Sequence, residues 1–142
     1  MCFVKIVVSA CLLGENCKYN GGNNYCPAVV AFAEGKDVIP VCPEMEAGYG
    51  CPRTPIEIVD GVLFDKNGNN VDAPMRRAIA EILQRLAGQE ISCAVLKSRS
   101  PTCGVRQVYD GTFSGTLKDG MGLFAQALQE AGISVVDSEE IQ

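Results

Sequence analysis

Three cysteines stand in three polar, turn-rich loops, and each loop follows its own apolar, strand-like run. Phe3 to Val8 leads into Ser9-Ala10-Cys11, and Val38 to Val41 leads into Cys42-Pro43-Glu44. Ile91 to Leu96 leads into Lys97-Ser98-Arg99-Ser100-Pro101-Thr102-Cys103-Gly104. In an open parallel α/β sheet, the loops at the carboxyl ends of the strands converge on one crevice. The pattern therefore predicts that thiols far apart in sequence face one another. Three thiolates in one crevice can hold a metal ion or an iron–sulfur cluster and leave one coordination position free for chemistry.

What the chain lacks narrows the chemistry. It has no histidine, so a Ser-His-Asp triad, a Cys-His dyad and an imidazole zinc site are all excluded. Acid–base work falls to Glu, Asp, Lys, Tyr, Cys or an ordered water. No Cys-x2-Cys pair occurs among Cys2, Cys11, Cys17, Cys26, Cys42, Cys51, Cys93 and Cys103, which speaks against a zinc ribbon, a finger or a ferredoxin. A disulfide framework is the rival use for eight cysteines. The chain is large enough not to need such staples, and Cys2 and Cys93 sit in apolar runs, where a free thiol serves as a small hydrophobe.

Two loops bring polar partners to the thiols. Glu44 lies two residues beyond Cys42, where a carboxylate either serves as acid or base or pairs with Arg53. Lys97, Arg99 and Arg106 are expected to bring positive charge near Cys103 and favour its thiolate. Ser98 and Ser100 add hydroxyls. The first loop offers a different reading, a thiol phosphatase or arsenate reductase, in which backbone amides and an Arg fork hold an oxyanion in a Cys-x5-Arg loop. Here Cys11 and Lys18 enclose six residues, one more than that pattern, and lysine lacks the fork.

Chain-wide properties set the frame. The 142 residues suggest one domain over 1–142, with 47% hydrophobic and 20% charged residues. A net charge of −5 argues against a broad nucleic-acid-binding face. The N-terminus reads as a strand rather than a signal peptide, and no apolar stretch approaches the roughly 18 residues of a membrane helix. The expectation is a soluble, cytoplasmic protein with no membrane attachment and no stable nucleic-acid complex.

Strands and helices must alternate to place those loops. Pro27 to Glu34 reads as a short helix, with proline in its first turn and Gly35 after it. Cys42 to Pro55 reads as an irregular loop. Asp60-Gly61, between two short apolar runs, signals a hairpin. Pro74 to Ala87 is the clearest helix, with Met75, Ile79, Ile82, Leu83 and Leu86 on one stripe. A second small hairpin is expected near Tyr109-Asp110-Gly111. Met121 to Ala131 is an amphipathic helix with Leu123, Phe124, Ala127, Leu128 and Ala131 facing in, and Ile133 to Val136 is the last strand. Right-handed crossovers then give an α/β fold: a mostly parallel sheet of about four strands, helices on both faces and an inserted hairpin.

At the three loops the sequence resembles the bacterial thiouracil desulfidase family. The segments that carry the resemblance are Ser9 to Gly14, Lys18 to Gly21, Val41 to Glu44 with Gly48 and Pro52-Arg53, and Leu96 to Gly104. The resemblance implies a small Rossmann-like three-layer fold and a [4Fe-4S] cluster held by Cys11, Cys42 and Cys103, with the fourth iron free of protein ligands. It implies Glu44 and Ser100 as the catalytic carboxylate and hydroxyl, and Ser9, Tyr19, Arg53 and Ser98 as substrate-binding residues. The implied activity is hydrolytic removal of sulfur from a small thiolated compound such as a thiouracil. The sequence departs from the family at Asn20, where an Asp is common, and at Tyr49-Gly50-Cys51. Cys17 and Cys51 are candidate extra ligands. Were either to ligate, the alternative is a non-catalytic iron–sulfur or metal-binding sensor module.

Overall fold

The structure, a computed structural model, describes residues 4–141. Cys2 and Phe3, read above as part of the first strand, lie outside the described residues. Strand β1, Lys5–Ser9, is central. Its Ile6, Val7 and Val8 are fully buried because both faces of the sheet are covered, and such doubly covered strands read as continuous apolar runs. β1 pairs in parallel with β2, Asp37–Val41, on one side and with β5, Ile91–Leu96, on the other. β8, Val135–Asp137, extends the sheet to the order β2-β1-β5-β8, all parallel. Pro40 lies in β2, an edge strand, where a missing N–H is tolerated.

Between these strands run the crossovers. Helix α1, Pro27–Ala33, packs Val29 and Ala33 against Ile6, Val8 and Val95. Helix α3, Asp72–Leu86, and helix α4, Leu123–Glu130, cover the opposite face around Val7, Ala94 and Leu96. Met75, Ile79, Ile82 and Leu86 are buried as the helical stripe predicts. Ala131 is instead exposed, because α4 ends one residue earlier. A short helix α2, Pro43–Glu46, forms inside the segment expected to be irregular; proline at its first position suits a helix start.

Two hairpins complete the fold. β3, Ile56–Val59, and β4, Val62–Asp65, are joined by Asp60 and Gly61, whose φ values of +50° and +80° make the primed turn that Asp-Gly favours. β6, Gln107–Tyr109, pairs with β7, Leu117–Asp119, where the second hairpin is expected. Among the described residues no helix is long and apolar enough to cross a membrane.

Because β1 is followed by β2 on one side and flanked by β5 on the other, the direction of crossover reverses between β1 and β5. Ligands of open α/β sheets bind outside the carboxyl ends of the strands at such a point. The loops carrying Cys11 and Cys103 leave from these two strands.

Candidate functional site

A cavity of about 460 Å³ opens at that switch point. It is lined by Ser9 and Cys11 after β1, Cys42 and Glu44 after β2, and Ser98, Ser100 and Cys103 after β5. Tyr19 and Arg53 line it as well, so all nine residues implied by the resemblance meet around one space. Cys17, Lys18, Asn24, Glu57 and Lys97 also face it.

Each of the three thiols sits in its own setting. Cys11 lies in a 3-10 turn, Ala10–Leu13, which directly continues β1. Burial pushes its thiol pKa up, while a hydrogen bond from Asn24 and the charge of Lys97 pull against that rise. Cys42 precedes α2; burial raises its pKa too, and a backbone hydrogen bond at Met45 opposes the rise. Cys103 is the most enclosed. Burial drives its pKa up strongly, and the Ser9 hydroxyl works against burial by hydrogen bonding to the sulfur. Desolvated thiols with neutral donors around them suit a cofactor that replaces their protons, since metal binding requires the thiolate. Among the described residues no three Cys, Asp or Glu side chains come close enough to chelate a single metal ion. A cluster, in which each cysteine would take a different iron, does not need the three thiols on one metal ion.

Glu44 both pairs with Arg53 and lines the cavity. Arg53 Nε donates to Glu44 Oε1 at 3.1 Å, and Thr102 Oγ1 donates to Glu44 Oε2 at 3.2 Å. The pair is enclosed, with side-chain exposures of 7% for Arg53 and 16% for Glu44. Arg53 also donates to the carbonyls of Gly50 and Cys17, each at 2.8 Å, so its donors are turned into the protein. Ser100 Oγ accepts from the backbone N–H of Thr102 and of Cys103, at 3.1 and 3.0 Å. That leaves its own proton free to be donated. Ser9 Oγ accepts from Lys97 N at 3.0 Å, which ties the β1 loop to the β5 loop. Ser98 is buried, and its Oγ receives Lys97 Nζ at 3.0 Å.

The charge expected around Cys103 is placed differently. Arg99 pairs with Glu139 at 2.7 Å and Arg106 with Glu140 at 2.6 Å, on the 3-10 turn Ser138–Glu140. Both charges are thus paired; Arg99 still lines the cavity, whereas Arg106 does not. The cations that act on the three thiols are Lys97, on Cys11, and Arg53, on Cys42; neither acts on Cys103. Cys51 is absent from the cavity lining; its thiol donates to the carbonyls of Lys18 and Asn16 at 3.0 and 3.3 Å. The thiol-phosphatase reading needs free amides after Cys11. Those of Gly14, Glu15, Cys17 and Lys18 are instead spent on the carbonyls of Cys11, Ala10, Glu15 and Gly22. Four of the amides that an oxyanion cradle would use are thus taken. The seven described cysteines are all free thiols.

The 2-thiouracil desulfurase family model matches residues 6–140. The chain belongs to that family. It is 32% identical over 146 residues to the uncharacterized protein YbbK of Bacillus subtilis (strain 168), a match covering 96% of this chain and 97% of YbbK. It is also similar to a solved structure, the [4Fe-4S]-dependent thiouracil desulfidase TudS. The TM-score is 0.89 at 33% identity, over 97% of this chain and 93% of that one. A likeness of this extent covers the whole sheet and the loops at its carboxyl edge.

Two polar lining residues, Asn24 and Glu57, carry no signal of their role in the sequence. Asn24 sits among exposed turn residues and has no local signature. Glu57 lies between Ile56 and Ile58 in β3, where alternation suggests a solvated position. It is in fact only 7% exposed, because the β6–β7 hairpin packs over it.

Proposed function

We propose that this chain is a desulfidase that removes sulfur from a small thiolated compound of the thiouracil type. The reading is supported above all by the meeting of Cys11, Cys42, Cys103, Glu44 and Ser100 around one cavity in a member of this family. Cys11, Cys42 and Cys103 would hold a [4Fe-4S] cluster and leave one iron without a protein ligand. When bound, the cluster supplies a Lewis acid for a soft substrate sulfur.

This chain's own residues account for the proton transfers. Arg53 and Thr102 fix the Glu44 carboxylate at the cavity wall, where it takes a proton from water as the water oxygen bonds to the thiocarbonyl carbon. Ser100 donates its free hydroxyl proton in a hydrogen bond to the substrate. The C–S bond breaks as the C–O bond completes, and the protons leave with sulfur as hydrogen sulfide. Thiocarbonyl plus water gives carbonyl plus hydrogen sulfide, with no net electron transfer. The free thiols fit a reducing compartment such as the cytoplasm.

The test is anaerobic reconstitution with iron and sulfide, followed by 2-thiouracil. The expected result is cluster absorbance, with uracil and sulfide released in equal amounts. A protein that assembles no cluster and releases no sulfide overturns the reading.

One observation favours a second reading. Cys17 lines the same cavity as the three thiols and lies beside Cys42. As a fourth ligand it would close the cluster and make the chain a sensor module. Cys17→Ser should then abolish cluster binding; retention of a full cluster with activity excludes it.

A further inference from the structure

The cavity holds a second carboxylate besides Glu44. Glu57 on β3 is more than nine-tenths buried and lines the same space. Its two oxygens are in different situations. Oε1 accepts the backbone N–H of Gly111 at 3.0 Å and of Phe113 at 3.2 Å. Those donors belong to the loop between β6 and β7, whose ends Tyr109 and Gly115 also line the cavity. Oε2 has no hydrogen-bond partner among the described residues. Nor is it sealed in, since no fully buried side-chain oxygen or nitrogen there lacks a partner. It therefore keeps some exposure, on a side chain that lines the cavity.

A carboxylate oxygen is only an acceptor while ionised, and Oε2 has no protein donor to accept from among the described residues. The loop has been shaped to satisfy Oε1 alone. Gly111 has φ of +92°, and a Cβ there would meet the Ile58 carbonyl oxygen at 2.6 Å, so only glycine can bring this N–H so close to β3. Phe113 takes φ of +57°, an uncommon conformation for a large side chain. The fold thus clamps one oxygen and leaves the other for a donor that the protein does not supply.

We propose that Glu57 is a specificity-determining residue that accepts a ring N–H of the substrate at Oε2. This rests on the desulfidase reading and deepens it. The preferred substrates are thiolated heterocycles carrying an unsubstituted N–H beside the C–S carbon, and N-alkylated rings are rejected. Rejection follows because alkylation removes the donor and leaves the carboxylate facing a carbon group.

The test uses the full-length, cluster-loaded protein with 2-thiouracil and its N1- and N3-methyl derivatives. The wild type should bind one methyl derivative about 10- to 100-fold more weakly than 2-thiouracil, the range for a hydrogen bond to a charged group. Glu57→Gln retains an oxygen for Gly111 and Phe113 but turns the other acceptor into a donor. It should weaken 2-thiouracil binding by a similar factor and erase the discrimination. Hydrogen exchange at the Gly111 and Phe113 amides should stay slow in E57Q and quicken in E57A.

If the wild type turns over 2-thiouracil but neither methyl derivative is rejected, or if E57Q keeps the discrimination, this proposal falls and the desulfidase reading stands. If E57Q frees the two amides as E57A does, the effect belongs to the loop and the proposal falls. A wild type that neither binds nor desulfurises 2-thiouracil overturns both.

Discussion

Two loops of the site are built in opposite ways. The loop after β5, residues 97–104, is held from several sides. Lys97 N donates to Ser9 Oγ and Ser98 N to Ser138 Oγ, at 3.0 and 3.1 Å. The first turn of α4 donates to the carbonyls of Pro101 and Thr102. The loop after the first 3-10 turn, residues 14–25, is mostly exposed. Its tip, residues 18–25, is held largely by local bonds such as Gly22 N to Asn20 Oδ1 at 2.9 Å and Tyr25 N to Asn23 Oδ1 at 3.0 Å, and its base bonds back to Ala10 and Cys11. Its links to residues 51–53 run through Arg53 and Cys51. The contrast assigns different work to each loop. Groups that must not move, Cys103 and Ser100, sit on the braced loop, whereas the mobile rim that admits a substrate is expected on the other.

The largest expected effect comes from cutting the link between the two. Arg53→Ala leaves the Glu44 carboxylate enclosed without its cation and releases Gly50 and Cys17. Breaking a buried pair from one side typically costs about 3–5 kcal/mol; the 16% exposure of Glu44 places this case near the lower end. Denaturant unfolding measures it. A loss below about 1 kcal/mol, the value of a surface pair, would mean that the loops are joined by something other than this guanidinium.

Glycines sharpen the same contrast. A Cβ on Gly122 would lie 2.4 Å from the carbonyl carbon and oxygen of Thr102, so Gly122→Ala must push α4 away from the braced loop. Overpacking of this kind costs about 1–3 kcal/mol. A Cβ on Gly21 meets nothing within 4 Å, but its φ is +85°. Gly21→Ala should cost only the roughly 1–2 kcal/mol of a left-handed conformation. The two differ further in activity. G122A should disturb cluster loading through Cys103, and G21A should not. Equal loading in both variants would break the argument that rigidity matters at residues 97–104.

Much of this arrangement was legible in the sequence, for physical reasons. Ile6 to Val8 and Ala94 to Leu96 are buried on both faces, and such strands write themselves as apolar runs. The Asp60-Gly61 turn is local and carries its own dipeptide. The three cysteine loops were legible because each directly follows a strand of one parallel sheet. What stayed hidden is non-local. Glu57 looks solvated until the β6–β7 hairpin, some fifty residues on, covers it. Arg99 and Arg106 look like a basic site until Glu139 and Glu140, more than thirty residues away, take their charge. Helix α2 was masked by the prolines around it, although Pro43 starts it.

Tyr49 offers a pH handle on the remaining segment of the site edge. Burial is the main reason its phenol pKa is pushed up to about 12, with Glu44 and Asp72 adding to the rise. Its hydroxyl donates to the Val71 carbonyl. The unfolded chain loses this proton near pH 10 and the folded chain only near 12. Stability from this group is therefore intact below pH 10 and declines as pH rises from 10 to 12. Tyr49→Phe should flatten that decline in thermal melts; an unchanged slope would show that other groups control it.

The smallest effect is expected from the exposed ion pairs of the braced loop and its continuation. The Arg99–Glu139 pair is 39% and 57% exposed, and the Arg106–Glu140 pair 67% and 39%. Exposed pairs contribute about 0.2–1 kcal/mol and are screened by salt. Arg99→Ala and Arg106→Ala should each lower stability within that range, and less at high salt. Neither should alter the cluster spectrum, because Lys97 supplies the charge felt by Cys11. A spectrum that shifts in R106A while Lys97→Met leaves it unchanged would return the electrostatic role to the position that the sequence first suggested.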